Sequence, residues 1–230
     1  MMVKRVLKHS LLHVPIIGDY IRFSKRYNEP RAVSFIKFFL YNTMPVPLLH
    51  YFFKREGYLP IDRYSSDLRG NIFVGKCSRI QRQGCYIQGR GKLFIGDYVE
   101  MASNITIVSG LHSLYNQDEG VLKETIIGDH CWIASNVVIN AGVVLGPRTI
   151  VGAGSVVTKS FPEGSCVIAG NPAHIIRQLE PTLISYPKDP FEFYGYLPVK
   201  KFQKYFEKYY EDFHIEYDLH KVTKNELFIK

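Results

Sequence analysis

Cysteine is scarce and scattered. Cys77, Cys85, Cys131 and Cys166 stand singly in the 230 residues, with no CxxC pair. That spacing excludes a zinc finger or a disulfide framework and points to buried, unbridged thiols in a reducing compartment. Long apolar runs are missing too. The most apolar stretch, VSFIKFFLYNTMPVPLLHYFF at 33–53, is interrupted by Lys37, Asn42, Pro45, Pro47 and His50, which argues against a membrane span. No signal peptide is expected, because residues 11–17 contain His13 and Pro15 and no small-residue cleavage site follows. Acidic residues are in deficit, 21 against 29 Lys and Arg, for a net charge of +8. An anionic partner fits that balance: a nucleotide-bearing cofactor, a phosphorylated substrate or an anionic membrane surface. No nucleic-acid recognition motif accompanies the charge, and nucleic acid is not expected as a partner. What remains is an ordinary globular composition, 46% hydrophobic and 22% charged, sufficient for one domain with extensions.

The chain does contain a repeat. Residues 127–162 divide into IGDHCW IASNVV INAGVV LGPRTI VGAGSV VTKSFP, six hexads in phase. Each opens on an aliphatic residue: Ile127, Ile133, Ile139, Leu145, Val151 and Val157. The second position is mostly small or turn-tolerant, and the fifth is small or β-branched except at Phe161. A six-residue period fits neither an α-helix nor a flat strand. It is the period of a hexapeptide β-helix, one side of a prism per repeat. An imperfect first block begins near Gly70, slips between Gln83 and Lys92, and recovers at Ile95, Met101 and Ile107. A polar insertion at 113–126 separates the two blocks and is expected to leave the prism as a loop. The fold class is therefore mainly β, with the β-helix over 70–169.

The flanks differ in kind. Residues 1–69 read as a basic, aromatic helical extension. A first helix is expected to close at Pro15, a second to run to about Thr43, and a third to follow a Pro-broken turn. Packing on each other, on the prism end or on another subunit is the main expectation, and peripheral contact with a membrane is the alternative. Residues 170–230 are expected to be a helical, aromatic extension. GNPAHIIRQL reads as a turn and a short helix begun near Pro172. In 200–217, Phe202, Tyr205, Phe206, Tyr209, Tyr210 and Phe213 fall on one helical face, read as packing surface.

These residues resemble the hexapeptide-repeat acyltransferases, in particular the galactoside/maltose acetyltransferases and the O-acetyltransferases of bacterial surface-polysaccharide synthesis. IIGDHCWIASNVVINAGVVLGPRTIVGAGSVVTK followed by AGNPAHIIR is similar to that family's C-terminal half, and ITIVSGLHSL to the segment holding its catalytic histidine. The resemblance covers about 74–179. It implies a left-handed parallel β-helix, a cytoplasmic homotrimer, and acetyl-CoA bound in the cleft between subunits.

It also implies site residues. His112 matches the family's general base, and an imidazole suits proton removal from a hydroxyl that attacks a thioester directly. The amide that accompanies it is not matched cleanly: Gln83 is the nearest residue in the slipped coil, and Asn104 is the other in reach, though Asn is also a common turn residue. Trp132 matches a family Trp beside the active site, or else covers the prism exterior. Ser135, Ala153 and Gly154 match the backbone track of the pantetheine arm. Thr158 and Lys159 match the pair near the nucleotide end. His174 stands where the family often has Lys or Arg; Arg177 is the candidate to compensate, with a solvated helix charge as the alternative. No metal is expected: a zinc site of the β-helix type needs three histidines, and beside His112 and His130 no third stands at repeat spacing.

The implied activity is acetyl-CoA-dependent O-acetylation of a sugar hydroxyl in surface-polysaccharide synthesis, on a free or lipid-linked saccharide. An antibiotic or amino-sugar N-acetyltransferase, and a non-catalytic β-helix scaffold, are the alternatives.

Overall fold

A computed structural model describes residues 15–27, 31–45, 72–80, 82–180, 191–195 and 197–202. The hexads wind into a three-walled prism. The first wall holds β1 (Ile72–Val74), β3 (Leu93–Ile95), β8 (Thr125–Ile127) and β11 (Val144–Leu145). The second holds β4 (Glu100–Met101), β9 (Trp132–Ile133), β12 (Ile150–Val151) and β14 (Cys166–Gly170). The third holds β2 (Tyr86–Gln88), β5 (Thr106–Val108), β10 (Val138–Ile139) and β13 (Val156–Val157). Every pairing within these walls is parallel, and Val138 meets Val156, Ile126 meets Val144 and Trp132 meets Ile150. Each partner lies three hexads further on, so one coil is one circuit of the prism. The hexapeptide expectation is borne out.

The first residue of each hexad points inward because alternate positions of a short strand face opposite sides. Ile127, Ile133, Ile139, Leu145, Val151 and Val157 are all fully buried and belong to one core column. The fifth position closes each corner from inside: Cys131, Val137, Val143, Thr149 and Ser155 are almost fully covered. Cys77, Cys131 and Cys166 are buried, and none of the four cysteines is in a disulfide.

Only one corner demands glycine at the second position. Between the first and second walls, a Cβ on Gly128 would lie 2.6 Å from the nitrogen of Pro147, and one on Gly146 2.1 Å from the carbonyl oxygen of Pro162. Backbone passes directly over backbone there, leaving no room for a side chain.

Three expectations need correction. Pro15 is the first residue of a helix, α1 (Pro15–Tyr27), which the sequence reading did not place; proline is at home in a first helical turn, where its missing N–H would have had no partner. Residues 1–14 and 46–71 lie outside the described residues, so the segment before Pro15 and the third helix go with them. The helix to about Thr43 is present as α2 (Arg31–Thr43). Second, the segment after Pro172 is a strand, β15 (Ala173–Gln178), antiparallel to β14 at the edge of the second wall. The β-branched pair Ile175–Ile176 favours that state, and the wall offers a row of backbone partners that a short helix would forgo. Third, the insertion is not a loop over 113–126. It is an antiparallel arm, β6 (Gly110–His112) and β7 (Gly120–Leu122), and Thr125 is already back in the first wall opposite Leu93. Thr125 is fully buried, with its hydroxyl 2.9 Å from the carbonyl of Val108.

The helices pack on each other and on the chain's C-terminal side. Phe23 of α1 and Phe38 of α2 form a buried cluster with Phe193 of β16 (Phe193–Tyr194), which pairs with β17 (Leu197–Pro198). That strap is fastened to the first coil, because Cys77 donates its N–H to the carbonyl of Phe193 at 2.8 Å and Lys76 meets Glu192 at 2.9 Å. The outward face of α2 leaves Phe35, Ile36, Phe39 and Leu40 exposed. Among the described residues no helix is long and apolar enough to cross a membrane. The chain is helical at 199–202, and the aromatic stripe beyond Phe202 lies outside the described residues.

Candidate active site

In the second block the chain turns from the third wall into the first at 140–142. One coil earlier that corner opens into the arm. Ser109, fully buried, has its hydroxyl 2.9 and 2.8 Å from the carbonyls of Gln88 and Gly91, and its own carbonyl accepts the N–H of Lys123 at 2.8 Å. The side-chain carbonyl of Gln88 accepts the N–H of Gly110 at 3.2 Å. These bonds root the arm in the coil beneath.

The tip is closed by its own polar residues. Ser113 donates its N–H to the carbonyl of Glu119, and the Asn116 amide donates to the Glu119 carboxylate at 3.0 Å. The turn so formed brings the carbonyl of Gln117 to 2.8 Å from Nδ1 of His112. A carbonyl can only accept, so Nδ1 carries the hydrogen and Nε2 of the neutral ring carries the lone pair. The bond selects one tautomer and leaves the second ring nitrogen as the acceptor. Nε2 lies 3.1 Å from a guanidinium nitrogen of Arg90.

The corner between the second and third walls is built differently. Gly84, Asn104, Asn136 and Gly154 stack along it, all with positive φ between 59° and 75°. Asn104 donates its N–H to the carbonyl of Gln83, Asn136 to Ser103 and Gly154 to Ser135. Asn104 therefore occupies a left-handed turn position, which Asn tolerates better than most residues. Gln83 and Asn104 sit at one end of the third wall and His112 beyond the other. The strand between them spans roughly 10 Å at ~3.3 Å per residue, so a single chain does not join these amides to the histidine.

At this corner Trp132, about half exposed, and Ser135 line an open pocket of about 330 Å³ with Arg82, Glu100, Met101, Ala102 and Ser103. Arg82 donates to the carbonyl of Met101, and Glu100 is paired with Arg79 at 2.9 Å. One coil on, Ala153 and Gly154 are exposed, and a Cβ added to Gly154 would meet nothing within 4 Å. His174 follows on β15 opposite Ala169, and Arg177 opposite Val167, both exposed. Ser135, Ala153 and Gly154 thus form an open strip of small residues, with His174 and Arg177 at one end. Thr158 and Lys159, also exposed, lie across the third wall, with the Lys159 ammonium 5.7 Å from the Phe161 ring. His130 lies at the remaining corner, stacked on Tyr98 at 5.0 Å, away from His112.

Arg90, Gln117, Arg82 and Glu100 are absent from the sequence-derived set. Gln117 acts through its backbone and leaves no signal in residue type. Arg90 and Arg82 lie in the slipped coil, where the hexad phase assigns no facing.

Residues 124–159 match the family described as Bacterial transferase hexapeptide (six repeats). That match agrees with the hexad period and with the parallel-walled prism. This hexapeptide-repeat chain is 43% identical over 89 residues to the galactoside O-acetyltransferase of Escherichia coli (strain K12), covering 37% of this chain and 43% of that protein. It is 35% identical over 89 residues to the putative colanic acid biosynthesis acetyltransferase WcaF of the same strain, covering 38% and 48%. The chain thus spans about half the length of these curated relatives. Among solved structures, a galactoside acetyltransferase in complex with coenzyme A is similar at 25% identity, covering 69% of this chain and 86% of that one, with a TM-score of 0.47.

Proposed function

We propose that this protein is an acetyl-CoA-dependent O-acetyltransferase acting on a saccharide hydroxyl, with Nε2 of His112 as general base. The observation that carries the reading is the Nδ1 bond to the Gln117 carbonyl. It fixes the tautomer that direct transfer requires and leaves the second nitrogen to take a proton. The base removes the hydroxyl proton as the oxygen attacks the thioester carbonyl. The C–S bond then breaks, and the proton leaves with the thiol. Backbone N–H groups stabilise the oxyanion, and no covalent enzyme intermediate is required. Relatives named as galactoside and colanic acid acetyltransferases support both the acetyl donor and a role in surface-polysaccharide synthesis.

The residues present suit a CoA donor. The exposed small residues Ala153 and Gly154 let a thin pantetheine chain lie against the coil, and Lys159, His174 and Arg177 suit its phosphates. Two features favour a homotrimer. The strip and His112 sit one wall apart on a single chain, so a threefold arrangement would set the arm of one subunit against the strip of the next. The arm also leaves Leu114 95% and Tyr115 99% exposed, an apolar tip suited to docking on a neighbour. The apolar outer face of α2 supports peripheral contact with the membrane that would carry a lipid-linked acceptor, on the cytoplasmic side.

Thiol release from acetyl-CoA against a panel of sugars, wild type beside His112→Ala, tests the reading. Turnover should fall by at least ~100-fold in the variant, the usual scale of a lost general base. Retained turnover removes His112 from the role. Calorimetry that finds no CoA binding favours a scaffold, and acetylation confined to amines favours the N-acetyltransferase.

A further inference from the structure

Nε2 of His112, the nitrogen that must receive the proton, already has a neighbour. Because Nδ1 donates to a carbonyl, Nε2 is the acceptor and the Arg90 guanidinium the donor, at 3.1 Å. A base whose lone pair is engaged in this way cannot take a hydroxyl proton until the bond is exchanged. Arg90 is held there by the fold. It leaves the coil beneath the arm half-buried, and its stem passes under Gly110, where an added Cβ would stand 2.7 Å from the Arg90 Cβ. Gln88, two residues earlier, fastens Gly110 to the same coil. Arm, histidine and arginine are packed as a unit, and the missing side chain at position 110 makes that possible.

Resting on the reading of His112 as base, we propose that Arg90 determines acceptor specificity and that the acceptor is a saccharide bearing a carboxylate near the hydroxyl that is acetylated. A guanidinium pairs with a carboxylate through two parallel, charge-assisted bonds, roughly twice as strong as neutral ones. For the guanidinium nitrogen that meets His112, the bond to an uncharged ring nitrogen is the weaker one. An acidic sugar therefore draws the guanidinium away from Nε2, and the vacated lone pair faces the sugar's own hydroxyl. On a pyranose ring a carboxylate and a nearby hydroxyl are a few ångströms apart, which suits a base and a guanidinium separated by 3.1 Å. A neutral sugar must displace the cation and offers it only weaker partners.

The test is kcat/KM for thiol release with matched pairs, glucose and glucuronate, galactose and galacturonate, and with glucose 6-phosphate as a non-carboxylate anion. Wild type, Arg90→Gln and Arg90→Lys are compared. Wild type should favour the uronates at least tenfold over their parents. The ratio should collapse towards one in Arg90→Gln and be partly kept in Arg90→Lys. Acetyl-CoA hydrolysis without any sugar should rise in Arg90→Gln, since the base is then open to water. A wild-type preference for neutral sugars, or a ratio that survives Arg90→Gln, overturns the proposal even if Arg90→Gln folds poorly, because the first result needs wild type alone. Better use of the sugar phosphate than of the uronates overturns the carboxylate assignment. Failure of every sugar to elicit thiol release from wild type overturns the acetyltransfer reading, and the role of Arg90 with it.

Discussion

Asp97 sits where the first wall turns into the second, with its side chain about one-fifth exposed. Its carboxyl is pushed up to about 7, first by burial and then by the charge of Asp129 in the next coil, against the opposing N–H and ammonium of Lys76. In the unfolded chain it returns to about 3.8. The folded state therefore holds the proton more tightly. Asp97 favours the fold most fully below pH ~4, and that contribution is lost as pH rises through about 7. At ~1.36 kcal/mol per pKa unit, the loss by pH 8 reaches up to about 4 kcal/mol. Asp97→Asn removes the charge but keeps a carbonyl oxygen for the Lys76 N–H, which the native Oδ1 accepts at 2.9 Å. The variant should match wild type near pH 4 and exceed it by about 2–4 kcal/mol at pH 8. For a chain of this size that is roughly 5–10 °C in Tm. Thermal unfolding of both proteins between pH 4 and 8, at one protein concentration, makes the comparison. Parallel Tm curves across that range would refute the reasoning.

Other expectations follow from the packing. Ile139→Ala empties a fully buried core position and should cost about 2–5 kcal/mol, read as a fall in the denaturant midpoint at unchanged slope. Gly146→Ala drives a Cβ to within 2.1 Å of a carbonyl oxygen and should cost at least ~1–3 kcal/mol. Gly154→Ala, which has space but a φ of +71°, should cost only ~1 kcal/mol; reversal of that order in thermal melts would contradict the coil geometry. Asn116→Ala loosens the turn that presents the Gln117 carbonyl. It should lower kcat about tenfold, the equivalent of ~1.4 kcal/mol, while leaving CoA affinity by calorimetry unchanged. Leu114→Asp together with Tyr115→Ala should shift the light-scattering mass towards monomer, and an unchanged mass would remove the arm tip from the subunit contact.

Where the sequence misled, the cause was local pattern competing with tertiary partners. Proline at position 15 was read only as a stop, and the helix that it begins was not placed. GNPAHIIRQL has a plausible helix opening, but the exposed edge of β14 recruits it as a strand, and no window of ten residues contains that edge. Thr125 looks like a loop residue until its hydroxyl is seen to close the corner under Val108. Asn104 matched a chemical expectation for an amide, and its backbone at φ 59° shows it also serves the turn.

The hexads by themselves determined the prism. Each repeat is a local instruction, an aliphatic residue inward and a tight corner after it, and repetition turns local instructions into a global shape. His112 was legible for a related reason: it stands at the one corner where the repeat is interrupted. The state of that histidine was not. Its tautomer depends on a backbone carbonyl that any residue at position 117 would supply, and its acceptor nitrogen on an arginine 22 residues earlier in a coil where the hexad phase had slipped. Only the winding of the coils brings that arginine beneath the arm. Contacts between coils join positions that share no period, and the reactivity of His112 rests on such contacts.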